Sequence, residues 1–175
     1  MRLKYSQKEL RRIYGRIVKN AESSLSHNKI EESLQRIQLA AELQYSVNEV
    51  FHDEHLESLL TEISKRLVSK NVEYHPDTRK ILFYDYFGLD NRGLTQQYLD
   101  ALALLKDVEI VYVHESSLSI KGENISRLIK EKGFDCAELG NGAFSLKIKR
   151  LSDIIEKVRP ADIFLHISPT SPVPY

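Results

Sequence analysis

Residues 81–114 read ILFYDYFGLDNRGLTQQYLDALALLKDVEIVYVH. The first seven are aliphatic and aromatic around one acid, the composition of a strand that is covered on both faces. Residues 88–95, GLDNRGLT, break that run with two glycines and four polar side chains. Leu94, Tyr98, Ala101, Leu102 and Leu105 then recur at helical spacing. VEIVYVH, residues 108–114, is a second apolar strand. Strand, loop, helix, strand is a crossover unit, and a crossover of this length makes its two strands parallel.

The same alternation continues downstream. Ile125, Leu128 and Ile129 mark a helix, and Gly133 sits where a left-handed cap would end it. FDCAEL (134–139) reads as a weaker strand. Ile148, Leu151, Ile155 and Val158 mark a helix ended by Pro160, and DIFLHI (162–167) is a fourth strand. The expectation is an α/β fold. It is a Rossmann-like parallel sheet of about four strands, β-α-β-α-β-α-β, over residues 80–175.

Upstream the period is helical throughout. Ser6 and Glu9 form a capping box ahead of the stripe Leu10, Ile13, Tyr14, Ile17 and Ala21. Asn28 and Glu31 suggest a second box. The helix that follows is apolar on two sides: Leu34, Ile37 and Ala41, then Leu39, Leu43, Val47 and Val50. Such a helix is expected between two others. Asp53 would cap a third, with the stripe Leu56, Leu59, Leu60, Ile63 and Leu67. Residues 1–70 therefore read as a three-helix extension, of a kind also seen in TPR-like modules. The polar stretch NVEYHPDTRK supplies a linker at 71–79.

Composition narrows the class. The chain has 175 residues, 25 Lys+Arg and 25 Asp+Glu. A zero net charge argues against a nucleic-acid partner. No apolar run approaches the ~20 residues of a membrane span, and no signal-peptide pattern opens the chain. A cytoplasmic protein is expected. Charge is segregated, however. Residues 1–20 hold seven bases, Arg2, Lys4, Lys8, Arg11, Arg12, Arg16 and Lys19, against the single acid Glu9. The first helix is thus a candidate peripheral contact with the inner face of the membrane; the competing reading is a solvated surface.

In open parallel sheets, ligands bind beyond the carboxyl ends of the strands. That edge receives Asp85 and Tyr86 from the first strand, His114 and Glu115 from the second, and His166, Ser168 and Thr170 from the fourth. The loop 88–95 has the glycine spacing of a phosphate-binding P-loop, with Leu94 where that motif needs Lys. No acid with a Walker-B role stands out, and the dinucleotide fingerprint G-x-G-x-x-G is absent. Gly88 can instead end the strand, and Gly93 can let the helix start close to the sheet. Arg92 adds a cation at that helix N-terminus, suited to a phosphate or carboxylate. His52 and His55 have a metal-compatible spacing but no third ligand, so no metal is expected. Cys136, without an evident base, reads as a buried structural thiol.

The segment ILFYDYFGLDNRGLTQQYLDALALLKDVEIVYVHES resembles the opening of the N-terminal domain of GT-B glycosyltransferases. It is most similar to the group-1 enzymes of bacterial capsular and cell-surface polysaccharide assembly. PADIFLHISPTSPV resembles their later strand, which ends in His and a Pro-containing loop. SLSHNKIEESLQRIQLAAELQY resembles a helical extension ahead of some of these catalytic domains. The resemblance spans about residues 80–173.

The resemblance implies an enzyme of two Rossmann-like domains, the first mainly binding acceptor and the second most of a nucleotide-sugar donor. It implies a glycan or lipid-linked acceptor. His166 would be the catalytic strand-end histidine facing the cleft. Gly93 and its neighbours, Gly88 and Arg92 among them, would approach the donor phosphate or sugar; the strand-edge rule adds His114, Glu115 and Ser168 as expected substrate contacts. The family's E-x7-E motif belongs to the second domain and is absent from these residues. The chain is accordingly expected to be an N-terminal fragment, inactive alone, holding no cofactor itself and lacking its C-terminal donor-binding partner. The three prolines Pro169, Pro172 and Pro174 after the fourth strand agree with a cut in a loop. The alternative is a non-catalytic helical interaction module fused to a small α/β ligand-binding domain.

Overall fold

The computed structural model describes residues 5–47, 54–68, 75–86, 92–115, 124–140, 142–166 and 172–173. The chain divides into two compact units. One comprises residues 1–69 with 169–173, the other residues 70–168.

The first unit holds α1 (Gln7–Ser26), α2 (Ile30–Val47) and α3 (Glu54–Leu67). The Ser6–Glu9 capping box forms as the sequence suggests. Ser6 Oγ accepts from the Glu9 N–H, and Glu9 accepts from the Ser6 N–H at 2.8 Å. That bond holds the Glu9 carboxyl below the usual range. Leu10, Tyr14, Val18, Ala21 and Leu25 are buried along α1. Val18, outside the expected stripe, sits deeper than Ile13 and Ile17, which are half-buried.

Two expectations need correction here. The second capping box does not form, because Asn28 adopts φ +59° in the turn and α2 starts only at Ile30. Asn tolerates that left-handed conformation better than most residues. On the second apolar side of α2, Leu39 is 51% exposed and Leu43 half-buried, so that side is only partly covered. Helix α3 reaches α1 as well, since Arg66 donates to the Leu25 carbonyl at 2.9 Å and caps the C-terminal end of α1. Leu59 and Ile63 are its buried positions. Val47 by its side chain, and Val50 and Asp53 entirely, lie outside the described residues.

The second unit is a four-stranded parallel sheet with three helices, an α/β architecture as expected. Its elements run β1 (Asp77–Asp85), α4 (Arg92–Leu102), β2 (Glu109–His114), α5 (Ile125–Glu131), β3 (Asp135–Glu138), α6 (Phe144–Val158) and β4 (Pro160–His166). β1 begins within the stretch expected to be linker, because Asp77 pairs with Pro160 at the start of β4. Pro160 opens β4 rather than merely ending α6. The stop is made by Arg159 in a left-handed conformation, φ +51°. Gly133, φ +82°, ends α5 as the sequence indicates.

Strand order is β3-β2-β1-β4, all parallel. Ile81, Phe83, Ile110 and Tyr112 point to one face, where Leu99, Leu102 and Ile129 of α4 and α5 complete a core. Leu82, Tyr84, Val111 and Val113 alternate onto the other face and are equally buried. Ile163, Phe164 and Leu165 of the edge strand β4 are 42–50% exposed.

Candidate functional site

The strand order creates a switch point. From β1 the chain first builds outward through β2 and β3, then returns to place β4 on the opposite side of β1. In open parallel sheets, ligands bind at such a switch point, beyond the carboxyl ends of the strands. Asp85 is the last residue of β1 and His166 the last of β4, and the register sets them side by side.

Their side chains meet. His166 Nδ1 lies 2.8 Å from Asp85 Oδ1. Asp85 is fully buried, and Tyr112 donates its hydroxyl to Oδ2 at 2.5 Å. A buried carboxylate needs such partners to remain charged. With Asp85 as acceptor, Nδ1 of His166 carries the proton and Nε2 of the neutral ring carries the lone pair. Tyr98 of α4 packs against the imidazole, ring centres 4.7 Å apart, and also against Phe83 at 5.1 Å. His166 is thus fixed on one side by a carboxylate and on another by an aromatic ring, while its side chain stays 20% exposed.

A second polar group occupies the same edge on the other face. Tyr84 donates to Glu115 at 2.5 Å, and Glu115 ion-pairs with Lys147 of α6. Both charged side chains are only 12% exposed. Burial, and then the neighbouring Glu115 charge, raise the Tyr84 phenol far above its usual range. The hydroxyl remains a donor throughout neutral pH. Lys147 also lies 5.9 Å from the centre of the Phe144 ring.

The expected site residues are therefore sorted. His166 lies at the switch point with Asp85. Glu115 lies at the edge but is committed to Tyr84 and Lys147. His114 is fully buried beneath α5, its Nε2 3.1 Å from Ser126 Oγ and 3.2 Å from Cys136 Sγ. Its ring is enclosed within the sheet unit. Cys136 does have a basic neighbour, contrary to expectation, yet burial raises its thiol pKa. Arg92 opens α4 and Gly93 lies in its first turn. Gly88 and Ser168 lie outside the described residues, as does His52. His55 is exposed, 3.5 Å from Glu22.

Tyr98, Tyr112 and Lys147 were not among the expected site residues. Period-2 alternation carries a partial signal for Tyr112, placing it on the face of Phe83 and Asp85. Nothing local marks Tyr98 or Lys147. Among the described residues, no group of three His, Cys, Asp or Glu side chains is placed to hold a metal ion. No helix there is long and apolar enough to cross a membrane.

No family model matches the chain, and neither the curated proteins nor the solved structures contain a match to it.

Proposed function

We propose that residues 70–168 form the acceptor-side half of a glycosyltransferase of polysaccharide assembly, with His166 as the base that activates the acceptor. The observation that carries this reading is the Asp85–His166 pair at the switch point. An acceptor hydroxyl donating to Nε2 of His166 passes its proton to the ring as its oxygen attacks the anomeric carbon. The bond to the nucleotide phosphate breaks, and the phosphate carries away the electron pair. Asp85 stabilises the imidazolium so formed and keeps the ring oriented. Tyr98, packed against the imidazole, extends an aromatic surface of the kind that suits a sugar ring. The nucleotide sugar is assigned to a second domain. The exposed apolar side chains on β4 support the reading that a further strand lies alongside it.

The test is equilibrium binding of mono- and oligosaccharides to this chain by ligand-observed NMR, with nucleotide sugars in parallel. Wild type should bind a saccharide weakly, and the chain alone should release no nucleotide. His166→Asn places an amide donor where Nδ1 stood, so it preserves the bond to Asp85 but removes the base. It should weaken saccharide binding while thermal stability stays near wild type. Absence of binding to any saccharide, or turnover by these 175 residues alone, would defeat the proposal.

A further inference from the structure

The helical unit carries a feature that the sheet chemistry leaves unused. In α1, Leu10, Tyr14, Val18, Ala21 and Leu25 are buried within the unit. At 3.6 residues per turn, Lys8, Arg11, Arg12, Arg16 and Lys19 fall within an arc about 140° wide on the opposite side. All five are exposed. The row from Lys8 to Lys19 is about 16 Å long. Gly15 lies within it, and a side chain there would meet nothing within 4 Å, so the face is open.

The two acids of the helix are engaged elsewhere. Glu9 is held in the N-terminal cap and Glu22 faces His55. Like charges crowded on one short face repel one another, a cost that an anionic surface would relieve. Just before the helix, Tyr5 is 51% exposed. An amphipathic aromatic ring beside a basic row suits the headgroup level of a bilayer.

We propose that this face of α1 docks the protein on an anionic lipid surface. The apolar stripe is consumed by packing within the unit, so α1 does not embed. Contact is electrostatic, through the five cations and the Tyr5 ring. Duplex nucleic acid is the weaker candidate, because the chain lacks the overall positive charge that draws a protein onto a phosphate backbone. The inference does not depend on the α/β unit handling a sugar.

Co-sedimentation of the full chain with vesicles tests it, using phosphatidylcholine alone and phosphatidylcholine mixed with phosphatidylglycerol. Binding should require the anionic lipid. It should weaken steeply as salt shortens the screening length from about 10 Å at 0.1 M to about 3 Å at 1 M. Replacing Arg12, Arg16 and Lys19 together by Gln should reduce affinity on the order of 100-fold. Gln sustains a helix, and circular dichroism checks that α1 persists. Replacing Arg12 and Arg16 by Lys should leave binding near wild type. Equal sedimentation with neutral vesicles, no sedimentation at low salt, or full binding by the Gln variant would each overturn the proposal. So would retention of a DNA duplex by a chain that ignores the vesicles.

Discussion

Asp85 and His166 stand 81 positions apart in the chain and 2.8 Å apart in the fold. Neighbouring parallel strands bring them together at their common carboxyl end. One partner is fully buried and the other partly exposed. This is how a rigid carboxylate orients an imidazole that a ligand can still reach.

Asp85→Asn should therefore be destabilising. It removes a buried charge that accepts from both Tyr112 and His166. The expected loss is about 1–3 kcal/mol, read from urea denaturation. The conservative His166→Asn should cost less, since a donor remains for the carboxylate. Unchanged stability in Asp85→Asn would show that the pair is not a charged one.

The Glu115–Lys147 pair gives a sharper contrast. Lys147→Met strands the Glu115 carboxylate in a site only 12% exposed. The cost should be about 3 kcal/mol, partly offset by the Tyr84 hydroxyl. Adding Glu115→Gln should recover much of it, because a neutral amide needs no cation. Additive losses in the double variant would contradict the coupling.

Two helix ends make the same demand on the backbone and meet it with different residues. Gly133→Ala should cost about 1 kcal/mol, since φ there is +82° while the added methyl meets nothing within 4 Å. Arg159→Gly should stabilise by a comparable amount, because Arg159 holds φ +51° with a side chain attached. Denaturation midpoints of the two variants moving in the same direction would sink this prediction.

Stability should also fall in acid. Glu9, Glu32 and Asp100 have carboxyls held below their ordinary range by hydrogen bonds to Ser6, Arg36 and Lys132 respectively. Folded pKa values below the unfolded ones contribute stability that is complete above the unfolded range, near pH 4. That stability is lost as pH falls through the folded values. The urea midpoint should be flat from pH 7 to about 5 and then drop. Lys132→Met and Glu9→Gln should each flatten the acid limb.

Cys136 should alkylate slowly in the native chain at neutral pH. Burial raises its thiol pKa, so little thiolate forms even with His114 3.2 Å away. Unfolding in urea should accelerate the reaction sharply. Fast labelling of the folded protein would mean that the thiol is activated by its neighbour.

Much of the fold was legible because its signals are local. Alternating strand and helix periods between Ile81 and His166 locate every element of the sheet unit, and Gly133 marks a helix end by its own conformational preference. What stayed hidden is relational. A crossover helix says that the next strand is parallel, not which side of the sheet it joins. The position of β4 beside β1, and with it the partner of His166, could not be read from any single segment. Leu39 shows the same limit: its spacing suits a buried face, but it is exposed. The polar run Asp77–Lys80 concealed the start of β1, where pairing with Pro160 outweighs composition.

The placement of β4 has a consequence for the order in which this molecule comes into being. During synthesis the ribosome delivers β1, β2 and β3 before β4, and neighbouring pairs among them can form from contacts nearby in sequence. Until β4 arrives, β1 is itself an outer strand, and the Asp85 carboxylate has Tyr112 but not His166. The orienting bond is thus the last part of this edge to be assembled, and it spans the longest loop closure in the sheet. A nascent chain halted between β3 and β4 holds three of the four strands and no imidazole at its switch point.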